Sequence, residues 1–549
     1  MKKRVLRITA LVMVLSMLAL SACASQGTPP AQGGYVQVAD GATTRGGFTV
    51  TGPVSGGSHG WAYGAYFGDI GEVGYIEEEY FIEGVAQRYA PIGELAKDGS
   101  WTLEAVSTEP YKTRFIVRRP ADPADFNGTV VIEWANVSGG FEMSFMDSPG
   151  IYKEGFAYVA ASVQYNGLYG YPEDPQGLVA WDSERYGDLS IADDALSFDI
   201  FTQIARAVGK NREPGDIDPM GGLTVDKVFG VGESQSGSRI LSYANGVQNI
   251  ENYFDGLATV VCGGRATDFG SELSHYKEDG KTEGHTVPAK VREDVSCKVF
   301  IINSQTEANF MNGLVQADTG SIVSWQVAGA SHFAARRMET VWHQMQRDNI
   351  DAFDLEEGPR LKAVDWTYVY EAALVRIQEW IDNGVQPNAM PPLSAINVLF
   401  GYYMDSNGNA KGGVRLPELT AAIATYDVSL LAGLNGRVSA FTQEEIMAIF
   451  PTHRDYVARV TEEAHNAVAL GIILPYRAEE YIREAQAGWV ASIWTDEPMI
   501  ELVGGGSSFN LILFIFICFC VVIIAIVALI IWRITVRRRK KGKAKARLS

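Results

Sequence analysis

Along the middle of the chain, short apolar runs rich in β-branched residues alternate with stretches whose apolar positions recur every three or four residues. The runs cover 129–134, 157–163, 227–231, 256–261, 299–303 and 322–327. Such near-continuous hydrophobicity fits strands buried on both faces, since a strand with one wet face would alternate polar and apolar positions. Helical spacing is clearest at 197–208 and 236–247. The order predicts an α/β fold, a mostly parallel, doubly wound sheet covered by helices on both faces. Upstream, 75–84 and 112–118 alternate in strand fashion and predict an antiparallel edge. Two long connections, 165–194 (with Tyr165, Tyr169, Tyr171, Trp181 and Tyr186) and 265–296, are expected to form lids.

Downstream, Trp366, Val369, Ala373, Ile377 and Trp380 fall at helical spacing and stop at Gly384, predicting a helix packed on the sheet. The α/β domain is therefore expected over 61–390, followed by an appended helical region over 391–500. That region carries a Gly-rich hairpin at 407–413 and helices near 443–449, 456–470 and 477–488. Asp405-Ser406-Asn407-Gly408-Asn409 begins like a calcium loop, but Ala410 and Leu416 stand where glycine and glutamate are required. A polar turn is expected there.

Both ends of the chain point to a membrane. Lys2, Lys3, Arg4 and Arg7 precede an apolar run over 8–20, the form of a secretory signal. It closes on Leu20-Ser21-Ala22-Cys23, which resembles the bacterial lipoprotein box, so Cys23 is a candidate for lipidation. A Gly/Ser/Thr/Pro-rich tether is expected over 24–60, and a stalk over 501–508. The 24-residue apolar run 509–532 is long enough to cross a bilayer core of about 30 Å. Nine basic residues follow it within 533–549, placing the tail in the cytoplasm and the rest of the chain outside.

Removing the ends changes the charge picture. The tail and the leader hold nine and four of the 46 basic residues and no acids, leaving 33 basic against 65 acidic, a formal −32. So acidic a body argues against nucleic acid or anionic lipid as a partner. Of five cysteines, Cys23 belongs to the leader, and Cys518 and Cys520 to the apolar run. Cys262 and Cys297 remain as a candidate disulfide in an oxidising exterior, with unpaired burial the alternative. No histidine spacing suggests a metal site, and no cofactor is expected.

The candidate chemistry sits where the 227–231 run ends, in Gly232-Glu233-Ser234-Gln235-Ser236. A β-rich run stopping at a serine between small residues, with a helix directly after, has the form of a nucleophile elbow, although Ser236 replaces the last glycine. Ser234 needs a base and an acid in the order serine, acid, histidine. His332 follows the last strand in the small-residue loop Val327-Ala328-Gly329-Ala330-Ser331-His332. His275 and His285 lie in the second insertion, His343 and His465 in helical patterns, and His59 and His453 before and after the sheet. Glu307, after the strand preceding the histidine's, is the first candidate acid, and Asp268 the second. Oxyanion donors are expected from the backbone N–H of Gln235 and, in the loop Ala135–Gly140, from Val137 or Ser138.

Glu133-Trp134-Ala135-Asn136-Val137-Ser138-Gly139-Gly140, the elbow, Ser304-Gln305-Thr306-Glu307 and the His332 loop together resemble the "α/β hydrolase domain" family of bacterial secreted proteins. So do Ala372-Ala373-Leu374 to Trp380-Ile381 and Gly408-Asn409-Ala410 to Gly412-Gly413-Val414-Arg415. The resemblance spans roughly 75–487 and implies an α/β-hydrolase fold with a Ser234–Glu307–His332 triad. The expected activity is a membrane-anchored, extracytoplasmic serine hydrolase, a carboxylic ester hydrolase on a small-molecule or glycan-linked ester. The alternatives are an amidase or peptidase of the same fold, or a catalytically silent surface binding protein.

Overall fold

A computed structural model describes residues 47–212, 217–270, 286–309, 311, 314–350, 364–397, 401–429 and 434–487. The apolar runs become the parallel part of one nine-stranded sheet. In chain order the strands are β1 (Phe48–Thr51), β2 (Tyr75–Pro91), β3 (Leu103–Pro120), β4 (Thr129–Trp134), β5 (Ala157–Ala161), β6 (Lys227–Glu233) and β7 (Gly256–Val260). A separate hairpin, β8 (Arg265–Thr267) and β9 (Thr286–Pro288), precedes β10 (Lys298–Ser304) and β11 (Ile322–Val327). The spatial order is β1-β2-β3-β5-β4-β6-β7-β10-β11. From β5 to β11 every pairing is parallel. β1, β2 and β3 run antiparallel to one another, and β3 joins β5 antiparallel. Every residue of β4, β5 and β7 is buried, which is why these runs show no alternation.

Helices cover the sheet where the 3.6 spacing places them. Helix α1 (Ser197–Val208) packs on β2 and β4, α2 (Gln235–Ser242) follows the elbow, the single-turn α3 (Gln305–Ala308) follows β10, and α4 (Thr367–Asn383) packs on β10 and β7. The helix expected over 236–247 changes at Tyr243 into a π-helical turn, Tyr243–Val247. Asn245 explains the break, because its amide is spent on Lys290 O at 2.8 Å and Arg292 N–H at 3.0 Å.

Four expectations need correction. The tether expected over 24–60 includes a strand, since Phe48–Thr51 pairs with residues 81–84 of β2, and four residues are too few for a period to register. The β2–β3 hairpin is far longer than expected, at 17 and 18 residues, because the added stretches, 85–91 and 103–111, mix polar and apolar residues without a regular alternation. Cys262 and Cys297 are buried free thiols. The register pairs Gly256 with Lys298, so the cysteines lie at opposite ends of β7 and β10, roughly 20 Å apart against the 7 Å limit for a disulfide.

The fourth concerns 391–500, which is not only helical. Besides α5 (His453–Ala469) and α6 (Pro475–Gln486) it holds two small sheets, β12 (Ala395–Asn397) with β13 (Gly401–Tyr402), and β14 (Ala424–Asp427) with β15 (Arg437–Ala440). It also extends the end of β11, where Val414 N–H donates to Gln326 O at 2.7 Å and Val414 O accepts from Ala328 N–H at 2.9 Å. A Cβ on Gly413 would lie 2.5 Å from Gln326 O, so only glycine permits this approach. Among the described residues no helix is long and apolar enough to cross a membrane. The signal, Cys23, the 501–508 stalk, the 509–532 run and the basic tail lie outside them, as do His275 and His285.

One buried ion network ties the loop after β4 and the 165–194 connection to the antiparallel side of the sheet. Arg114 on β3 pairs with Glu79 of β2 at 2.8 Å and with Glu142 of the loop after β4 at 2.7 Å. Its Nη1 also reaches Tyr186, in the 165–194 connection, at 3.4 Å. Removing the cation leaves the buried Glu142 carboxylate with the Ser162 hydroxyl and no counter-charge, while Glu79 keeps Arg185 at 2.6 Å. Arg114→Met is expected to lower stability by about 3–5 kcal/mol, measured by chemical denaturation of the full chain. A loss within experimental error would show that water compensates the carboxylate.

Candidate active site

In a parallel sheet the C-terminal ends of neighbouring strands share one edge, and here the ends of β4, β6, β10 and β11 each deliver part of a site. Ser234 follows β6 at φ 56°, ψ −112°, a region that costs an L-residue about 1–3 kcal/mol. Several bonds hold it there. Ser234 N–H continues the sheet to Val260 O at 2.9 Å, and Ser238 bonds back to Ser234 O through its amide at 2.9 Å and its hydroxyl at 3.1 Å. A Cβ at Gly232 would stand 2.6 Å from Ser236 O, and one at Gly237 2.7 Å from Val260 O. The departure at Ser236 thus has a reason: the close helix–strand contact falls on Gly237. The Ser236 hydroxyl meanwhile closes the turn, accepting from Glu233 N–H and donating to Glu233 O, both at 2.9 Å.

His332 lies beyond β11, buried, with Nδ1 2.7 Å from Oε1 of Glu307. The other oxygen of Glu307 caps α3, accepting from Ser304 N–H at 3.2 Å and from the Ser304 hydroxyl. One carboxylate therefore fixes both a helix N-terminus and an imidazole, the reciprocal capping box giving it a single rotamer. The histidine loop is laced to its neighbours. Gly329 N–H donates to Gln305 Oε1 at 2.8 Å, Trp366 Nε1 to His332 O at 3.0 Å, and Phe333 N–H to Leu434 O at 3.3 Å. Burial would lower the imidazole pKa, but the Glu307 carboxylate, with help from Glu233, raises it above the usual value.

The remaining candidates have other partners. The Asp268 carboxylate accepts from Gly270 N–H at 3.1 Å in its own loop. His59 stacks on Trp181 and His343 on Phe67, while His453 Nε2 bonds Ala485 O at 2.8 Å. In the loop after β4, Ser138 N–H closes a turn on Asn136 Oδ1 at 2.9 Å, which removes it as a free donor. Val137 N–H reaches Gln235 Oε1 at a long 3.5 Å. Buried Glu133 shapes this loop, accepting from the N–H groups of Phe145 at 2.7 Å and Met146 at 3.0 Å and from the Tyr158 hydroxyl.

Two groups escaped the sequence reading. Glu233, the residue before the serine, is buried with Oε1 3.7 Å from His332 Nε2, and Asn136 Nδ2 bonds both its backbone oxygen and its carboxylate, at 2.9 and 3.2 Å. Burial, reinforced by Glu307 and opposed by His332 and Asn136, pushes its pKa up to about 7. Its place in the elbow was the available signal. Asp194 is the second. It accepts from Gln164 Nε2 and Tyr165 N–H, both at 2.8 Å, and from Arg239 of α2 at 2.9 Å, pinning both ends of the 165–194 connection to the elbow helix.

A strained serine after a central strand, with a paired carboxylate and imidazole after the next strands of a mostly parallel sheet, defines an α/β-hydrolase arrangement. The chain belongs to the alpha/beta hydrolase domain family, which it matches over residues 50–483. No curated protein matches the sequence. Among solved structures, esterase Est22 is 12% identical, covering 48% of this chain and 78% of its own, at a TM-score of 0.24. Acetyl xylan esterase 1 of Thermoanaerobacterium sp. is 12% identical over 48% and 89%, at 0.23. An arylesterase is 12% identical over 44% and 81%, at 0.22. Likenesses this distant carry no argument about reaction or substrate.

Proposed function

We propose that this protein is a serine hydrolase of carboxylic esters, working through an acyl-enzyme on Ser234. The observation that carries the reading is the Glu307–His332 contact of 2.7 Å, formed on the sheet edge where Ser234 is held in its strained turn. Ser234 Oγ attacks the ester carbonyl while His332 Nε2 takes its proton. The C–O bond then breaks, and the imidazolium returns the proton to the leaving alcohol. Water, deprotonated by the same nitrogen, attacks the acyl-enzyme and releases the acid with Ser234 restored. Glu307 holds the Nδ1–H tautomer, and the N–H groups of Gln235 and Val137 face the oxyanion.

The substrate is a small-molecule or glycan-linked ester. Its acyl side meets the aromatics of the 165–194 connection, where Tyr165 and Tyr169 pack at 4.6 Å and Tyr171 covers Gly140 so closely that a Cβ there would stand 2.6 Å from the ring. A position on the outer face of a bacterial cytoplasmic membrane belongs to the same proposal, and its support is the leader, Cys23, the apolar run 509–532 and the basic tail.

One experiment reads both parts. A membrane-impermeant fluorophosphonate applied to intact cells is expected to label the full chain, and Ser234→Ala to abolish labelling. Detergent-solubilised protein that stays unlabelled sinks the serine chemistry. Labelling that appears only after lysis sinks the outward placement.

A further inference from the structure

Glu233 has no task in that chemistry, yet it lies against the base. Its side chain is 3% exposed, and its Oε1 stands 3.7 Å from His332 Nε2, the nitrogen that must accept the serine proton because Nδ1 is occupied by Glu307. A purely structural buried carboxylate is wrapped in donors, as Glu133 is by two backbone amides and a tyrosine hydroxyl. Glu233 instead has the single amide of Asn136 on Oε2 and turns Oε1 to the imidazole.

We propose that Glu233 is a positioning residue for His332, holding the imidazolium at Nε2 as an ion pair and releasing the imidazole to Ser234 when the Nε2 proton leaves. The inference rests on the Ser234–His332 reading above. In the resting form the imidazolium carries one proton on Nε2, facing the Glu233 carboxylate across 3.7 Å, and a second on Nδ1 that points to Glu307. Loss of the first to solvent leaves a carboxylate and a neutral imidazole whose Nε2 lone pair is free. When Nε2 then takes the serine proton, the imidazolium is flanked by carboxylates on both sides. The charged groups around the pair are Glu307 after β10, which favours the proton, and Arg265 of β8, which disfavours it on His332. Asn136 after β4 favours the ionised Glu233, and Cys262 and Tyr402 face Glu307. Two groups this close titrate as a pair, so the acid limb of activity belongs to both.

The test is the pH dependence of fluorophosphonate labelling of the full chain in Glu233→Gln and Glu233→Asp. Taking away a negative charge within ion-pair distance weakens proton binding, so the acid limb is expected to move down by about one pH unit in E233Q. In E233D, whose shorter carboxylate stands farther from Nε2, it moves down by less. A limb that stays at the wild-type pH while only the plateau rate changes overturns the proposal, because a packing role predicts that pattern. If E233Q does not fold, E233D decides by the same criterion. A wild-type chain that does not label at Ser234 overturns the serine chemistry instead, and needs no Glu233 variant to reveal it.

Discussion

His332→Ala is expected to reduce kcat for ester hydrolysis by about 10⁵–10⁶-fold with KM little changed, because the imidazole acts only once the serine hydroxyl must lose its proton. The loss should not come from unfolding. The loop bonds that hold His332 in place use its carbonyl oxygen, taken by Trp366, and the amide of Phe333, and both survive truncation of the side chain. Melting temperature is thus expected to change little beside the rate. Ser234→Ala combined with His332→Ala should be no slower than either alone, since groups that act as one unit are grossly non-additive. Retention of more than a hundredth of the wild-type rate would remove His332 from the proton path, and additive losses would separate it from Ser234.

The parts of this arrangement that could be read from the chain are those whose causes are local. Strands β4, β6, β7, β10 and β11 are buried on both faces, so each writes an uninterrupted apolar run, and the loops that follow are then placed on one edge by parallel topology alone. Ser234 was legible because a strand, a tight turn and a helix follow one another within a few residues. Glu307 came into view by counting strands back from His332, and the structure places it on Nδ1.

What escaped depends on register and on contacts across loops, which leave no periodic trace. Cys262 and Cys297 both flank strands, and only the Gly256–Lys298 register reveals that they flank opposite ends. Ser138 looked like a free donor in a glycine-rich loop until the Asn136 side chain, two residues back, took its N–H. Glu233 was visible as a letter inside the elbow, but its significance lies in an imidazole about a hundred residues away in sequence. The region after 391 read as an appended helical region because helical spacing is its clearest pattern, whereas its attachment includes a backbone bridge at Val414 and the buried Arg477–Glu371 pair, neither of which leaves a periodic trace.

Glu307→Gln is expected to cost about 10³–10⁴-fold in kcat while leaving the fold nearly intact, and the capping box says why. In wild type one carboxylate oxygen accepts from Ser304 N–H and the other faces Nδ1. A glutamine has one acceptor and one donor to place. The Ser304 amide offers only hydrogen, so the amide oxygen goes to the helix cap and the NH₂ group turns toward His332. Facing a donor, Nδ1 becomes the acceptor and the proton moves to Nε2, the tautomer that cannot take a proton from Ser234. The cap thereby dictates the flip, and the flip dictates the tautomer. Stability should fall by no more than about 1 kcal/mol, since the cap survives. Glu307→Ala removes the carboxylate half of the capping box and leaves the Ser304 amide unpaired, so it should combine a comparable kinetic loss with a larger drop in melting temperature than Glu307→Gln. A Glu307→Gln enzyme within tenfold of wild-type kcat would show that His332 holds its tautomer without this carboxylate.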